Sequence, residues 1–518
     1  MKKALLAIGL LWLPQFGPAA PPPRPKLILA IVVDQFRYDY LVRFRSEYHA
    51  GFARLLEHGA VFSNAHHVSF PTVTAIGHST FLSGATPSLS GIAGNEWYDR
   101  KLQRSVTSVS DDDTQLVGGK PGAKGASPQK LLVSTIGDEM KMAGIDCKVV
   151  GVSIKDRSAI LPAGHMADGA YWFDEKADSW VTSSYYRSAL PAWVADINAH
   201  KPAGKFHDSV WTPVDEGEQS KPFCAMDGHN GLPACGSVEE TPWGNEMIED
   251  FAEHALTNEG MGKHGGTDLL TVSFSSNDYV GHKLGPDAPE VRDISIRTDR
   301  VLGKLLDFID SEIGPGNTLV VLTADHGVSP LPEINEKRHM PGGRMSNAEL
   351  LHPAEQALKA RYGEGKWVEA MTTGSIYLNQ SLIQEKKLNL AEVEETVAAA
   401  LRDVPHVFRV YTGEAIASGR VPEDFVSSAV RNGYFRQRSP DVLFIVEPFY
   451  IFAAHGASHG TPFNYDTHVP ILFMGPGIKA GRFYERVGVT DIAPTLSAVM
   501  NITSPSGAVG RVLSEIFE

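Results

Sequence analysis

Short, unbroken apolar runs recur along the chain and are separated by segments with helical spacing. The runs are Lys26–Val33, Lys148–Ile154, Leu269–Phe274, Thr318–Thr323, Val442–Val446 and Pro470–Met474. Runs of this length without polar alternation are expected of parallel strands buried on both faces. Between them, Ile296, Val301, Leu302, Leu305, Leu306 and Ile309 repeat with helical period inside Ile294–Ile313, and a second helical pattern covers Ile492–Met500. Alternating strand and helix predicts an α/β fold: a mostly parallel central sheet with helices on both faces. Two stretches break the rhythm. Residues from about 160 to 250 are rich in Trp, Pro and Gly and read as an insertion. Residues from about 335 to 440 carry their own helices, such as Leu390–Leu401, and read as an inserted cap.

The N-terminus departs from this pattern. Lys2 and Lys3 precede the apolar stretch Ala4–Leu13, and Gly17, Ala19 and Ala20 offer small residues for cleavage. This is the layout of a signal peptide over residues 1–20. The stretch falls short of the roughly 20 apolar residues that span a bilayer, and Pro14 and Pro18 oppose a continuous helix. The expected product is residues 21–518 as one catalytic domain, periplasmic or secreted, with no membrane anchor after cleavage; the alternative is an uncleaved N-terminal anchor. Export permits disulfides. Of the three cysteines, Cys224 and Cys235 share a polar loop where a local bridge fits, while Cys147 opens an apolar run and is expected to be buried and free.

A net charge of −14 argues against a nucleic-acid polymer or an anionic membrane as partner. It also means that any site for an anionic substrate must gather positive charge locally.

Candidate chemistry lies at or just past the ends of the apolar runs, where α/β sheets bind ligands. Asp34 closes the first run. Thr74 sits in a turn entering a helix, where backbone N–H groups face an incoming anion. Asp278 and His282 are spaced i, i+4 and face one point if helical. Asp325 and His326 follow Thr318–Thr323 and precede Gly327. His459 stands in Ser458-His459-Gly460. Three Asp, three His and one Thr hydroxyl suffice to hold two divalent metals about 4 Å apart with a nucleophile on one. Each has an ordinary alternative: Asp34 and Thr74 as helix caps, His78 as a structural histidine, His455 as a decoy beside His459. The acidic run Asp111-Asp112-Asp113 reads as a solvated loop in preference to a calcium site.

Val33-Asp34-Gln35, Thr74-Ala75-Ile76-Gly77-His78, Gly94-Asn95, Ser153-Ile154-Lys155-Asp156-Arg157, Asp278-Tyr279-Val280-Gly281-His282 and Val489-Thr490-Asp491-Ile492-Ala493-Pro494-Thr495 resemble the alkaline phosphatase superfamily. Within it they are most similar to the exported, two-zinc, phosphate-irrepressible alkaline phosphatases with a Thr nucleophile. The resemblance spans most of the chain past residue 20. It implies one zinc held by Asp278, His282 and His459, and a second held by Asp34, Asp325 and His326 with Thr74. It implies further that Asn95, Lys155 and Arg157 contact phosphoryl oxygens, and that Thr74 forms a phosphothreonine during hydrolysis of small phosphate monoesters. On an extended segment, Lys155 and Arg157 would face the same side and reach the substrate together, and with the two zinc ions they would supply the missing positive charge.

Other readings are weaker. A nucleotide pyrophosphatase or phosphodiesterase of the same superfamily takes a monoanionic diester and has less need of a Lys-x-Arg clamp. A sulfatase would need Cys or Ser at position 74. A phosphoethanolamine transferase would need several membrane helices. A binding protein on an enzyme scaffold would be expected to have lost a ligand or the nucleophile.

Overall fold

The computed structural model describes residues 24–214, 221–229, 231–372 and 374–517; the expected signal peptide lies outside them. In chain order, the elements that matter for the site begin with strands β1 (Leu27–Val33) and β2 (Ala60–His66) and helix α1 (Thr74–Ser83). Then come β3 (Val149–Ser153), α2 (Asp156–Ala163), β4 (Gly169–Asp174), β5 (Ser179–Ser183) and α3 (Pro242–Asn258). They continue with β6 (Asp268–Phe274), α4 (Ser276–Leu284), α5 (Pro289–Ile313) and β7 (Thr318–Thr323). Next are α6 (Asn347–Tyr362), β8 (Val368–Thr372), β9 (Ser375–Leu378), α7 (Leu390–Arg402) and β10 (Val407–Thr412). The set closes with α8 (Phe425–Gly433), β11 (Val442–Val446), β12 (His468–Met474) and α9 (Ile492–Met500).

Among the described residues, the main sheet has 12 strands, with β2, β12, β7, β1, β6, β3, β4 and β5 adjacent in that order. Its centre, from β7 through β1, β6 and β3 to β4, is parallel. All residues of β1, β6 and β7 are buried, which is why these strands read as unbroken apolar runs. Outside this centre β12 runs antiparallel to both β7 and β2, and β5 antiparallel to β4. Helices α3, α4 and α5 pack on one another, while α1 packs on α2 and α9.

Two expectations are corrected. Val442–Val446 is not a strand of the main sheet. It is β11 of a separate antiparallel sheet ordered β8-β9-β11-β10. Val442, Phe444 and Val446 join one apolar cluster with α6 and α7, whereas Leu443 and Ile445 join a second cluster with α8. Burial on both faces gives the same run in either kind of sheet, so the run alone does not name its neighbours. Residues 160–250 also do more than interrupt: β4 and β5 extend the main sheet. Beyond β5, Val210–Trp211 pairs with Cys224–Ala225, and a disulfide joins Cys224 to Cys235. Cys147 is buried and free. Asp112, in the acidic run, pairs with Arg104 and Lys124.

The parallel centre positions the site. The carboxyl ends of β1, β6, β7 and β3 lie side by side, with Val33 against Phe274, Val32 against Thr323 and Ser273 against Ser153. Asp34, the start of α4, Asp325 and Lys155 therefore emerge at one edge. Helix α1 is buried at every residue. At Gly77 a Cβ would strike the backbone of Asp325, so glycine lets α1 lie directly on the turn after β7. Among the described residues, no helix is long and apolar enough to cross a membrane.

Candidate active site

The acidic and histidine side chains picked out at the strand ends meet in one place. Asp34, Asp325 and His326 form a buried triplet, and Asp278, His326 and His459 form a second; within each, the ligand atoms lie within 4.8 Å of one another. His282 joins the second group, with its Nε2 3.2 Å from Asp278 Oδ1 and 3.2 Å from His459 Nε2. Helix α4 covers Asp278 and His282, so the i, i+4 spacing places both on one face. Thr74 is the first residue of α1, and its Oγ1 lies 3.4 Å from His326 Nε2. His455 is exposed and belongs to neither group.

The three imidazoles share one orientation. Nδ1–H of His326 donates to the Gly327 carbonyl at 2.9 Å, that of His282 to Ala457 at 2.9 Å, and that of His459 to Thr72 at 2.7 Å. A carbonyl only accepts, so the proton is fixed on Nδ1 and the Nε2 lone pair faces the cluster. The carboxylates face it too. Asp34 Oδ1 and Asp325 Oδ2 are buried without a hydrogen-bond partner; they lie 3.6 Å and 3.4 Å from His326 Nε2. Lone pairs converging in this way repel unless a cation lies among them. Buried carboxylates and neutral imidazoles with no sulfur nearby suit a divalent metal of the zinc type.

The electrostatics agree. Burial, followed by the negative charge of Asp325, raises the Asp34 carboxyl well above its ordinary range. Burial pushes Asp325 and Asp278 the same way, but each ends lowered: His326 holds Asp325 down, and His282 and Lys155 hold Asp278 down. Burial lowers His326 and His459 toward the neutral form that a metal ligand takes, whereas for His282 the Asp278 carboxylate outweighs burial and raises it.

Asn95, Lys155 and Arg157 divide. Asn95 Oδ1 accepts from the Ala75 N–H at 2.8 Å, fixing Asn95 against the start of α1. Asn95 and Arg157 line a cavity of about 370 Å³, bordered also by Phe70 and Val73 and, on the side of the second sheet, by Ser375 and Tyr377. Lys155 does not line it. Its Nζ lies 2.6 Å from Asp34 Oδ2 and 2.6 Å from Asp278 Oδ2. The expectation that Lys155 and Arg157 face one side of an extended segment is corrected, because α2 begins at Asp156: Lys155 is its extended N-cap and Arg157 is already helical.

One contributor was not recognised from sequence. Gln35 Nε2 donates to Asp278 Oδ1 at 2.6 Å, and the Gln35 N–H donates to Asp325 Oδ1 at 3.0 Å. Its place directly after Asp34 was the available signal. His78, read as structural, donates from Nδ1 to the Thr74 carbonyl at 2.9 Å and accepts from Ser273 at 2.8 Å; Nδ1 also lies 3.4 Å from Asp325 Oδ2. It steadies the site without facing its centre.

The sequence profile of the type I phosphodiesterase / nucleotide pyrophosphatase family matches residues 28–468. The alkaline phosphatase PafA of Elizabethkingia meningoseptica is 37% identical over 95% of this chain and 95% of its own. The alkaline phosphatase PhoV of Synechococcus elongatus is 35% identical over 96% and 93%. A relative from Myroides odoratus, 35% identical over 96% and 95%, bears the name calcium-transporting ATPase. The crystal structure of PafA superimposes with a TM-score of 0.89, at 36% identity over 96% of this chain and 99% of that one. Human ectonucleotide pyrophosphatase / phosphodiesterase 5, at 16% identity over 92% and 95% with a TM-score of 0.54, shares the fold. The match over most of the chain and the full-length likeness to these relatives establish that this chain belongs to the type I phosphodiesterase / nucleotide pyrophosphatase family, on the side of its alkaline phosphatases.

Proposed function

We propose that the chain is an exported two-zinc phosphatase that hydrolyses phosphate monoesters through a phosphothreonine at Thr74. The observation that carries this reading is the position of Thr74 Oγ1, 3.4 Å from His326 Nε2, beside the unpartnered Asp34 Oδ1 and Asp325 Oδ2. Asp34, Asp325 and His326 would hold one metal near Thr74, and Asp278, His282 and His459 the other. When bound, the pair supplies Lewis-acid charge that favours an alkoxide nucleophile and a departing oxyanion. Thr74 Oγ1 attacks phosphorus as the bond to the esterified oxygen breaks, leaving a phosphothreonine. Water then attacks phosphorus, the bond to Thr74 breaks, and inorganic phosphate leaves. The charge of such a loose transition state spreads over the phosphoryl oxygens, so placement and electrostatics supply most of the rate. Arg157 and the Asn95 amide are the donors beside the cavity; Lys155, with two of its three protons given to Asp34 and Asp278, has one left for a substrate oxygen.

Two further observations support monoesters over diesters. The full-length relatives PafA and PhoV are named alkaline phosphatases. A solved variant of PafA is substituted at a threonine, an asparagine, a lysine and an arginine, and the same residue types stand here at Thr74, Asn95, Lys155 and Arg157. Export rests on the Lys2–Ala20 segment. The deciding experiment compares p-nitrophenyl phosphate with its bis ester, p-nitrophenyl sulfate and ATP. The monoester should exceed the bis ester in kcat/KM by several powers of ten, with chelator-sensitive turnover. A bis ester cleaved faster than the monoester would move the chain to the phosphodiesterase side of the family.

A further inference from the structure

Gln35 is not among the metal ligands proposed above, yet it touches both halves of the cluster. It follows Asp34 directly and has φ 61°, in the left-handed region that residues with a side chain rarely occupy. Strain of this kind persists where the surroundings over-determine it, typically at functional sites. The surroundings here are two carboxylates. The turn aims the Gln35 N–H at Asp325 Oδ1, 3.0 Å away, and the side chain crosses to Asp278 Oδ1, 2.6 Å away. Asp325 follows β7 and belongs to the group with Asp34 and Thr74; Asp278 lies on α4 and belongs to the group with His282 and His459. Gln35 is itself only 2% exposed. Helix α4 makes room for it: a Cβ on Gly281 would collide with Gln35 Oε1. That collision would be with the far end of a flexible side chain, so it would push the carboxamide aside without disrupting the helix.

We propose that Gln35 is a positioning residue that ties Asp278 to Asp325 and so fixes the separation and aim of the two metal groups. The inference rests on the metal-centre reading above. Gln35 acts through the carboxylates and touches neither substrate nor reacting atoms. Partners that orient ligating carboxylates typically change metal affinity or activity by about 10–100-fold when removed.

Gln35→Gly separates this role from a structural one. Glycine adopts the positive φ without strain and keeps the N–H bond to Asp325, so only the tie to Asp278 is lost. Relief of the strained φ offsets the loss of one buried hydrogen bond, so metal-free Gln35→Gly should unfold at a denaturant midpoint close to that of the wild type. Competition with a chromophoric chelator, using zinc alone, should show one of two zinc ions held about 10–100-fold more weakly, with kcat reduced. Gly281→Ala should reproduce the weakened zinc by displacing the same carboxamide. Both zinc ions retained at wild-type affinity in Gln35→Gly would overturn the proposal. So would a loss of affinity matched by a lower metal-free midpoint, which marks a structural role. A wild-type chain that binds no zinc would overturn the metal-centre reading, and this inference with it.

Discussion

Lys155 Nζ lies 2.6 Å from Asp34 Oδ2, and the same nitrogen reaches Asp278 Oδ2 at an equal distance. Each carboxylate thus gives one oxygen to Lys155 and turns the other toward the histidines. Lys155 is 5% exposed, and although burial alone would lower its pKa, the two carboxylates raise it. The ammonium is a built-in counter-ion for acids that otherwise sit buried beside neutral imidazoles. Removing one partner of a buried ion pair costs about 3–5 kcal/mol, because the remaining charge is left uncompensated. Lys155→Met should therefore destabilise the metal-free protein by about that amount. Zinc-loaded protein should lose much less, since the metal charge compensates the same carboxylates. Urea unfolding with and without chelator measures both. An equal loss in the two states would rule out the counter-ion role.

Thr74 opens α1 without capping it through its side chain, so Thr74→Ala removes an oxygen without removing a helix cap. Turnover should fall by at least about 10³-fold, the scale seen when a covalent nucleophile is deleted, while urea unfolding stays near that of the wild type. Thr74→Ser keeps the oxygen and should stay far more active than Thr74→Ala. Acid-quenched turnover of wild-type protein should yield phosphothreonine on peptide mapping. Near-normal activity in Thr74→Ala would remove the nucleophile assignment.

Much of this site could be read from the sequence because the parallel core makes its ends predictable. Once Lys26–Val33, Leu269–Phe274 and Thr318–Thr323 are recognised as buried parallel strands, Asp34, Asp278 and Asp325 must emerge at one edge. The i, i+4 spacing of Asp278 and His282 then selects a single helical face. The direction of Lys155 was not legible in the same way. It depends on α2 starting at Asp156, and element boundaries are the weakest part of any pattern reading. The sheet membership of Val442–Val446 was hidden because the strand is buried on both faces, by α6 and α7 on one side and α8 on the other. Gln35 was missed for a different reason: neither hydropathy nor spacing signals a polar side chain that crosses between two elements.

Metal removal should affect stability as well as activity. A metal that binds only the folded chain stabilises it by RT ln(1 + [L]/Kd), about 2.7 kcal/mol at 100 times Kd. Dialysis against a chelator should abolish turnover and lower the thermal midpoint by several degrees, and adding zinc back should restore both. His459→Ala leaves Asp34, Asp325 and His326 intact, so it should shift zinc content from two per chain toward one. A chain whose midpoint and turnover ignore chelator would contradict the metal-centre reading.

The fold should also lose stability in mild acid through a histidine outside the metal groups. His67 is buried, and its Nε2–H donates to the Ala324 carbonyl at 2.9 Å, just before Asp325. Burial is the main cause that lowers its pKa, from 6.5 to about 4. Between these values the unfolded chain takes up a proton and the folded chain does not, so stability rises with pH across the window. The contribution is full above pH 6.5 and is lost as pH falls toward 4, amounting to about 3 kcal/mol at most. His66 and His459, also lowered, act in the same direction, so the wild-type slope alone does not isolate His67. His67→Gln does. In metal-free protein, where ligand exchange does not interfere, the drop in unfolding free energy between pH 7 and pH 4.5 should be smaller in the variant than in the wild type by about 2–3 kcal/mol. Parallel pH curves for the two proteins would mean that His67 is protonated equally in the folded and unfolded chains, and that acid sensitivity has another source.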